Sequence, residues 1–356
     1  MRWSQLPNQI RDNIATSGPR VRQRAAIALT MAARYKNERF DTSSQTAPMT
    51  YRLPNLLVIG VQKGGTTWLH SKLSQHPDIF FSKRKELGYF VQREGKRDLA
   101  AYAENFAEAD GIRYAGEATP SYFWTYDARS KYCGLNRRTG YARQPEEVRD
   151  VLGPDVKLIL SLRHPVHRAV SAYMHHYKQG RIEPQERLID LGTRSGIIDM
   201  GFYEHHLRRW ERAFGPNKIL TVFMDDIRND ADAVLNKIFA YLDVPPIEIA
   251  NVNQNVHSGF KLTIAGAGLT IDMSDPFTRD LIRRRGLSEV KFPRVRRKDI
   301  LGLQDLYLDD IEFIEDRFDR RDLGWHVTPS LEDFLSSTAR TNQTDSTLQE
   351  SPAMDF

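Results

Sequence analysis

Three mainly apolar runs stand out along the chain: LLVIG at 56–60, KLILSL at 157–162 and KILTVF at 218–223. They lack the polar alternation of a half-exposed strand, so they predict strands covered on both faces, as in a parallel sheet. Each is followed by apolar positions spaced three and four apart, over 67–75, 165–179 and 231–242, which predicts helices. RYAGE at 113–117 predicts a further strand. Strands alternating with helices predict an α/β fold: a P-loop-like doubly wound sheet, mostly parallel and flanked by helices, with ligands at the carboxyl ends of the strands. Further on, 300–318 predicts one amphipathic helix, with Leu303, Leu306, Tyr307, Ile311 and Ile314 on one face.

Composition narrows the class. With 356 residues, 40% apolar and 27% charged, the chain suits a globular protein with a sizeable core. It divides into a basic extension and linker over 1–50, a main domain over 51–326, and a Ser/Thr-rich tail over 327–356 that predicts disorder. The extension predicts a helix over 20–36 and a linker at 42–48. Its arginines read as a solvated arm, with peripheral membrane contact as the alternative. Cys133 is the only cysteine, which excludes an intrachain disulfide and fits a reducing compartment. No apolar run reaches the ~18–20 residues that span a bilayer, and no signal peptide is evident, so a cytoplasmic location is expected. A net charge of +5 favours anionic ligands. The basic stretch over 283–298 has little aromatic interleaving, so no nucleic acid is expected as a partner.

The candidate chemistry begins just after the first apolar run. Gly60 and Gly65 keep the spacing of a nucleotide phosphate loop, but the residue after Gly65 is Thr66 rather than lysine, and the lysine, Lys63, precedes Gly64 and Gly65. Glycine backbone and a helix N-terminus can still cradle a phosphate. The displaced lysine suits one 5′-phosphate bearing a transferable group better than a magnesium-bridged triphosphate. A second candidate is Arg163, at the end of the 157–162 strand, with Ser171 eight residues on in the following helix. An arginine at a strand end can meet a phosphate with its fork of donors.

The run Lys63-Gly64-Gly65-Thr66-Thr67-Trp68 resembles the 5′-phosphosulfate loop of sulfotransferases, which use 3′-phosphoadenosine 5′-phosphosulfate (PAPS) without a metal. The resemblance implies that Lys63 to Trp68 hold the 5′ end of PAPS, and that Arg163 and Ser171 hold the 3′-phosphate. It continues through QHPDIFFSKRKELGYF (75–90), GEATPSYF (116–123), 201–227 and RRDLGW (320–325), covering roughly 53–326. By that likeness Glu86, just before Tyr89 and Phe90, is the catalytic base, and Lys63 stabilises the leaving phosphate. The product would be 3′-phosphoadenosine 5′-phosphate (PAP). The implied acceptor is a hydroxyl or amine on a carbohydrate, glycolipid or small alcohol.

The chain departs from the family in two places. Many carbohydrate-acting members carry a lysine after the glutamate of the GE block, where this chain has Ala118. The glycine-rich RKG block of small-molecule members is absent. Without the resemblance, Glu86 reads as a surface salt bridge with Lys83, Arg84 or Lys85 rather than as a base. His175 and His176 are candidates for substrate contact, while His205 and His206 read as helix surface. Adjacent histidines diverge by about 100° on a helix and suit one metal ion poorly, so no metal site is expected. The competing readings are a P-loop nucleotide kinase and a binding module for nucleotide or sulfated glycan.

Overall fold

The computed structural model describes residues 52–92, 94–124, 143–183, 186–191, 194–249, 261–264, 269–272 and 295–329. The basic arm and linker over 1–50, Cys133, the basic stretch from 283 to 294, and the tail beyond 329 lie outside them.

Five strands form one sheet: β1 (Leu56–Gly60), β2 (Ile79–Phe81), β3 (Tyr114–Ala118), β4 (Lys157–Leu162) and β5 (Ile219–Phe223), in the order β2-β3-β1-β4-β5. Every pairing in it is parallel. Helices α1 (Thr66–Leu73), α2 (Leu99–Glu104), α3 (Gln144–Leu152), α4 (Pro165–Lys178) and α5 (Tyr203–Phe214) lie between the strands in sequence, and α6 (Met224–Asn229) and α7 (Ala231–Leu242) follow β5. A separate antiparallel pair joins β6 (Lys261–Ile264) and β7 (Leu269–Asp272). The described chain then runs through α8 (Arg297–Leu306) and α9 (Leu308–Phe318). Among the described residues, no helix is long and apolar enough to cross a membrane.

The apolar runs are explained by packing on both faces of the sheet. Leu57 and Ile59 of β1, with Leu158, Leu160 and Leu162 of β4, share a buried cluster with residues of α4, α5, α8 and α9. Their neighbours Leu56, Val58 and Ile159 turn to the other face, against Leu69 and Leu73 of α1 and Leu235, Ile238 and Phe239 of α7. At ~1.5–3 kcal/mol for each fully buried large side chain, a polar residue at any of these positions would oppose the sheet. β1 is central. The chain moves from it to β2 and β3 on one side, then crosses to β4 and β5 on the other. The carboxyl end of β1 is therefore the switch point at which such sheets bind ligands.

Two features differ from the sequence reading. The helix expected over 300–318 is two helices, interrupted at Tyr307 (φ −102, ψ 7). Tyr307 is fully buried, and its hydroxyl donates to the carbonyl of Ile198 at 2.7 Å. That long-range anchor prevails over local helix continuity, while Leu303, Tyr307, Ile311 and Ile314 remain on the buried face. The strand β2 is additional. At three residues it is too short to show a period.

Candidate active site

The phosphate loop lies between β1 and α1. Gly65 caps the helix at φ 94 with no side-chain cap, so the first-turn N–H groups have no side-chain acceptor there. An alanine at Gly64 would place its Cβ 2.6 Å from the carbonyl oxygen of Ser161, so β4 backbone presses directly on the loop. The Ser161 hydroxyl donates to the carbonyl of Gly64. Lys63 is in the left-handed region at φ 68. Thr66 is buried, Thr67 exposed, and Trp68 half-buried against the cluster that includes α1 and α7. α6 packs beneath the turn: Met224 Sδ and Ile227 Cδ1 lie 3.0 and 3.6 Å from where a Cβ on Gly65 would stand.

Arg163, at the end of β4, joins the two sequence motifs. Its Nη1 donates to the carbonyl of Lys63 at 3.3 Å, and its Nε is buried without a partner. The hydroxyl of Tyr203 fixes the turn by donating to the Arg163 carbonyl at 2.6 Å. Loss of hydration lowers the guanidinium pKa to about 10; the nearby charge of Arg228 adds to this, while Tyr203 and Asp225 oppose it. It stays cationic at neutral pH. Ser171 lies two turns into α4 and is half-buried. A half-buried cation with a buried, unused Nε donor beside an uncapped helix start fits a phosphate-bearing ligand.

Glu86 lies along the same edge of the sheet, after β2. Its N–H donates to the carbonyl of Ala118 at 3.2 Å, so it is tied to the site through β3. It sits at φ 64, and its carboxylate pairs with Lys85 Nζ at 2.7 Å while 57% of the side chain is exposed. The segment is pinned further by Gly88 N–H to Thr119 Oγ1 at 3.2 Å and Phe90 N–H to the Tyr122 hydroxyl at 3.5 Å. Glu117, the other acid in this region, is wholly buried. It accepts from the Tyr102 hydroxyl at 3.0 Å and from Thr119 Oγ1 at 3.5 Å. Burial raises its pKa to about 7, against the hydrogen bonds of Tyr122, Tyr102 and Thr119. Of the two carboxylates, Glu86 is the one open to an acceptor.

The histidines separate into two groups. His176 is buried next to the loop, with its Nε2 3.4 Å from Gln62 Nε2. Burial lowers its pKa to about 4, with smaller contributions from His175, Arg181 and Lys63, so it is neutral at physiological pH. Of His205 and His206, expected on a helix surface, His205 is half-buried and His206 is not on the surface at all. His206 is 1% exposed, contacts the Asp199 carbonyl at 2.9 Å and meets Phe123 edge-on. It continues the buried stripe of Tyr203, Leu207 and Trp210 on α5, a spacing visible in the sequence. Among the described residues, no group of three or more His, Cys, Asp or Glu could hold a metal ion. The supporting roles of Ser161, Met224 and Gln62 had no signal in the sequence, because each acts across elements far apart in the chain.

A profile of the sulfotransferase family matches residues 54–248. Human heparan sulfate glucosamine 3-O-sulfotransferase 3B1 is 28% identical over 207 residues, covering 55% of this chain and 47% of that protein. The bifunctional heparan sulfate N-deacetylase/N-sulfotransferase 1 of Caenorhabditis elegans is 27% identical over 209 residues, covering 54% of this chain and 22% of that one. The chain thus spans about half or less of the length of these relatives. A solved sulfotransferase structure from Alicyclobacillus acidocaldarius covers 78% of this chain and 100% of its own, with a TM-score of 0.54 and 21% identity, and shares the fold.

Proposed function

Because the chain belongs to the sulfotransferase family, we propose that it transfers a sulfuryl group from PAPS to a hydroxyl or amine of a carbohydrate or glycolipid. The observation that carries this reading is Arg163. Its guanidinium reaches the carbonyl of Lys63 while keeping a buried, unpartnered Nε, which is how a chain prepares to receive an anion beside the loop. The likeness to heparan sulfate sulfotransferases supports a sugar acceptor. Residues 51–326 are the transferring domain in this reading.

When bound, PAPS supplies the activated sulfuryl group. Lys63 through Trp68 would hold its 5′ end, and Arg163 with Ser171 its 3′-phosphate. Lys63 neutralises charge that collects on the departing phosphate. Glu86, exposed and held on a pinned ledge, takes the proton from the acceptor. His176, neutral and buried beside Gln62, adds no charge to the loop.

The test pairs calorimetry with turnover. PAP should bind without magnesium. Glu86→Gln should leave that affinity within about twofold and lower sulfate transfer from labelled PAPS to a glycan panel by roughly 10²–10⁴. Normal turnover in Glu86→Gln would remove Glu86 as base, and ATP binding as tightly as PAP would remove the donor assignment.

A further inference from the structure

Behind the phosphate loop runs a hydrogen-bond relay that neither phosphate motif contains. His176 lies on the last turn of α4 and is buried, and Arg181 follows the end of that helix. The N–H of Arg181 donates to the carbonyl of His176 at 3.0 Å, and its carbonyl accepts from Arg194 Nη2 at 2.5 Å. Held in this way, Arg181 Nη1 stands 3.4 Å from His176 Nδ1. On the other edge of the ring, Nε2 stands 3.4 Å from the side-chain amide of Gln62.

These contacts fix the proton on the ring. A guanidinium only donates, so His176 Nδ1 must accept, and the imidazole then carries its one proton on Nε2. That N–H faces the Gln62 amide as a donor. The matching acceptor is Gln62 Oε1, which is buried with no other hydrogen-bond partner. Turning the amide over exchanges two groups of almost equal shape and replaces two facing donors with one hydrogen bond. It leaves the amide N–H groups unspent, and beside an anion-binding loop unspent N–H dipoles are favourable where an unspent carbonyl is not.

Gln62 immediately precedes Lys63, whose φ of 68 is a conformation that a residue other than glycine keeps only where its surroundings over-determine it. The backbone there is held by Gly64 N–H to the Val61 carbonyl at 2.9 Å, Arg163 Nη1 to the Lys63 carbonyl at 3.3 Å and Gln62 N–H to Met200 Sδ at 3.2 Å. The contact with His176 holds the side chain of Gln62 as well.

We propose that His176 is a positioning residue for the donor loop: in the Nε2–H tautomer set by Arg181, it donates to Gln62 Oε1 and holds the bend that presents Lys63. The role rests on the donor assignment made above.

The experiment uses the full chain. In nitrogen NMR of histidine-labelled protein, the wild-type signals that vanish in His176→Gln should report a bare Nδ1 and a protonated Nε2. Calorimetry with PAP, without magnesium, then reads the loop. A glutamine side chain can place its amide nitrogen near the Nε2 position, whereas asparagine reaches only the Nδ1 position. His176→Gln should therefore bind PAP within about twofold of wild type, while His176→Asn should weaken it about fivefold, equivalent to ~1 kcal/mol, the size of one net hydrogen bond. Gln62→Leu should weaken PAP by a similar factor, and adding it to His176→Asn should cost little more. A Nδ1–H tautomer at His176, or equal PAP affinity in His176→Gln and His176→Asn, overturns the proposal alone. Should His176→Asn fail to fold, undiminished PAP affinity in Gln62→Leu overturns it equally. A wild type that does not bind PAP overturns the donor assignment and this proposal together.

Discussion

Replacing Glu117 by glutamine should remove a large part of the pH dependence of stability. The carboxyl is 0% exposed and enclosed by the hydroxyls of Tyr102, Tyr122 and Thr119. Burial raises its pKa to about 7 from the usual 4.5. Below pH 4.5 the group is protonated in both folded and unfolded chains, and neither state gains. Between 4.5 and 7 the unfolded chain releases the proton while the folded chain keeps it, so stability falls as pH rises. Above 7 the penalty is constant. At ~1.4 kcal/mol per pH unit across that window, the full loss is roughly 3 kcal/mol. Glutamine keeps the shape, accepts from Tyr102, and can donate to a hydroxyl oxygen of Thr119 or Tyr122. Asp199 and Asp310, both raised to about 7 by burial, add slopes of the same sign. The quantity to follow is therefore the difference between wild type and variant in urea unfolding at pH 5, 6, 7 and 8. Glu117→Gln should gain ~2–3 kcal/mol relative to wild type from pH 5 to pH 8. A constant offset across that range would refute the reasoning and show that Glu117 does not change protonation there.

Arg163→Ala should cost ~2–5 kcal/mol of PAP affinity, as for a desolvated charge contact; calorimetry showing less than a threefold loss would contradict its assignment. Gly64→Ala should cost ~1–3 kcal/mol of stability and weaken PAP binding, because Ser161 backbone stands 2.6 Å from the new Cβ. Unchanged melting and affinity would mean that the loop yields freely.

Much of this protein follows from local pattern. The runs 56–60, 157–162 and 218–223 are predominantly apolar, without polar alternation, because their strands pack against apolar clusters on both faces, and that requirement is visible in consecutive residues. The phosphate loop is equally local: a left-handed glycine cap and a helix start are written in consecutive positions. Sequence alone therefore placed the sheet, the loop, Arg163 and Ser171 in the right elements, and the likeness of the loop pointed to the family that the profile match supports. It could not show that the segment of Glu86 hangs from Ala118 and Thr119, or that Glu117 is sealed while Glu86 is open. Both are acids beside apolar residues, and only the order in which strands pair decides which faces water. The same holds for Ser161 and Met224 against the loop, and for the break at Tyr307. These contacts join residues about 100 or more positions apart, or depend on one side chain reaching a distant carbonyl. Periodicity reports which face of an element is buried. What that face meets is decided when the sheet assembles.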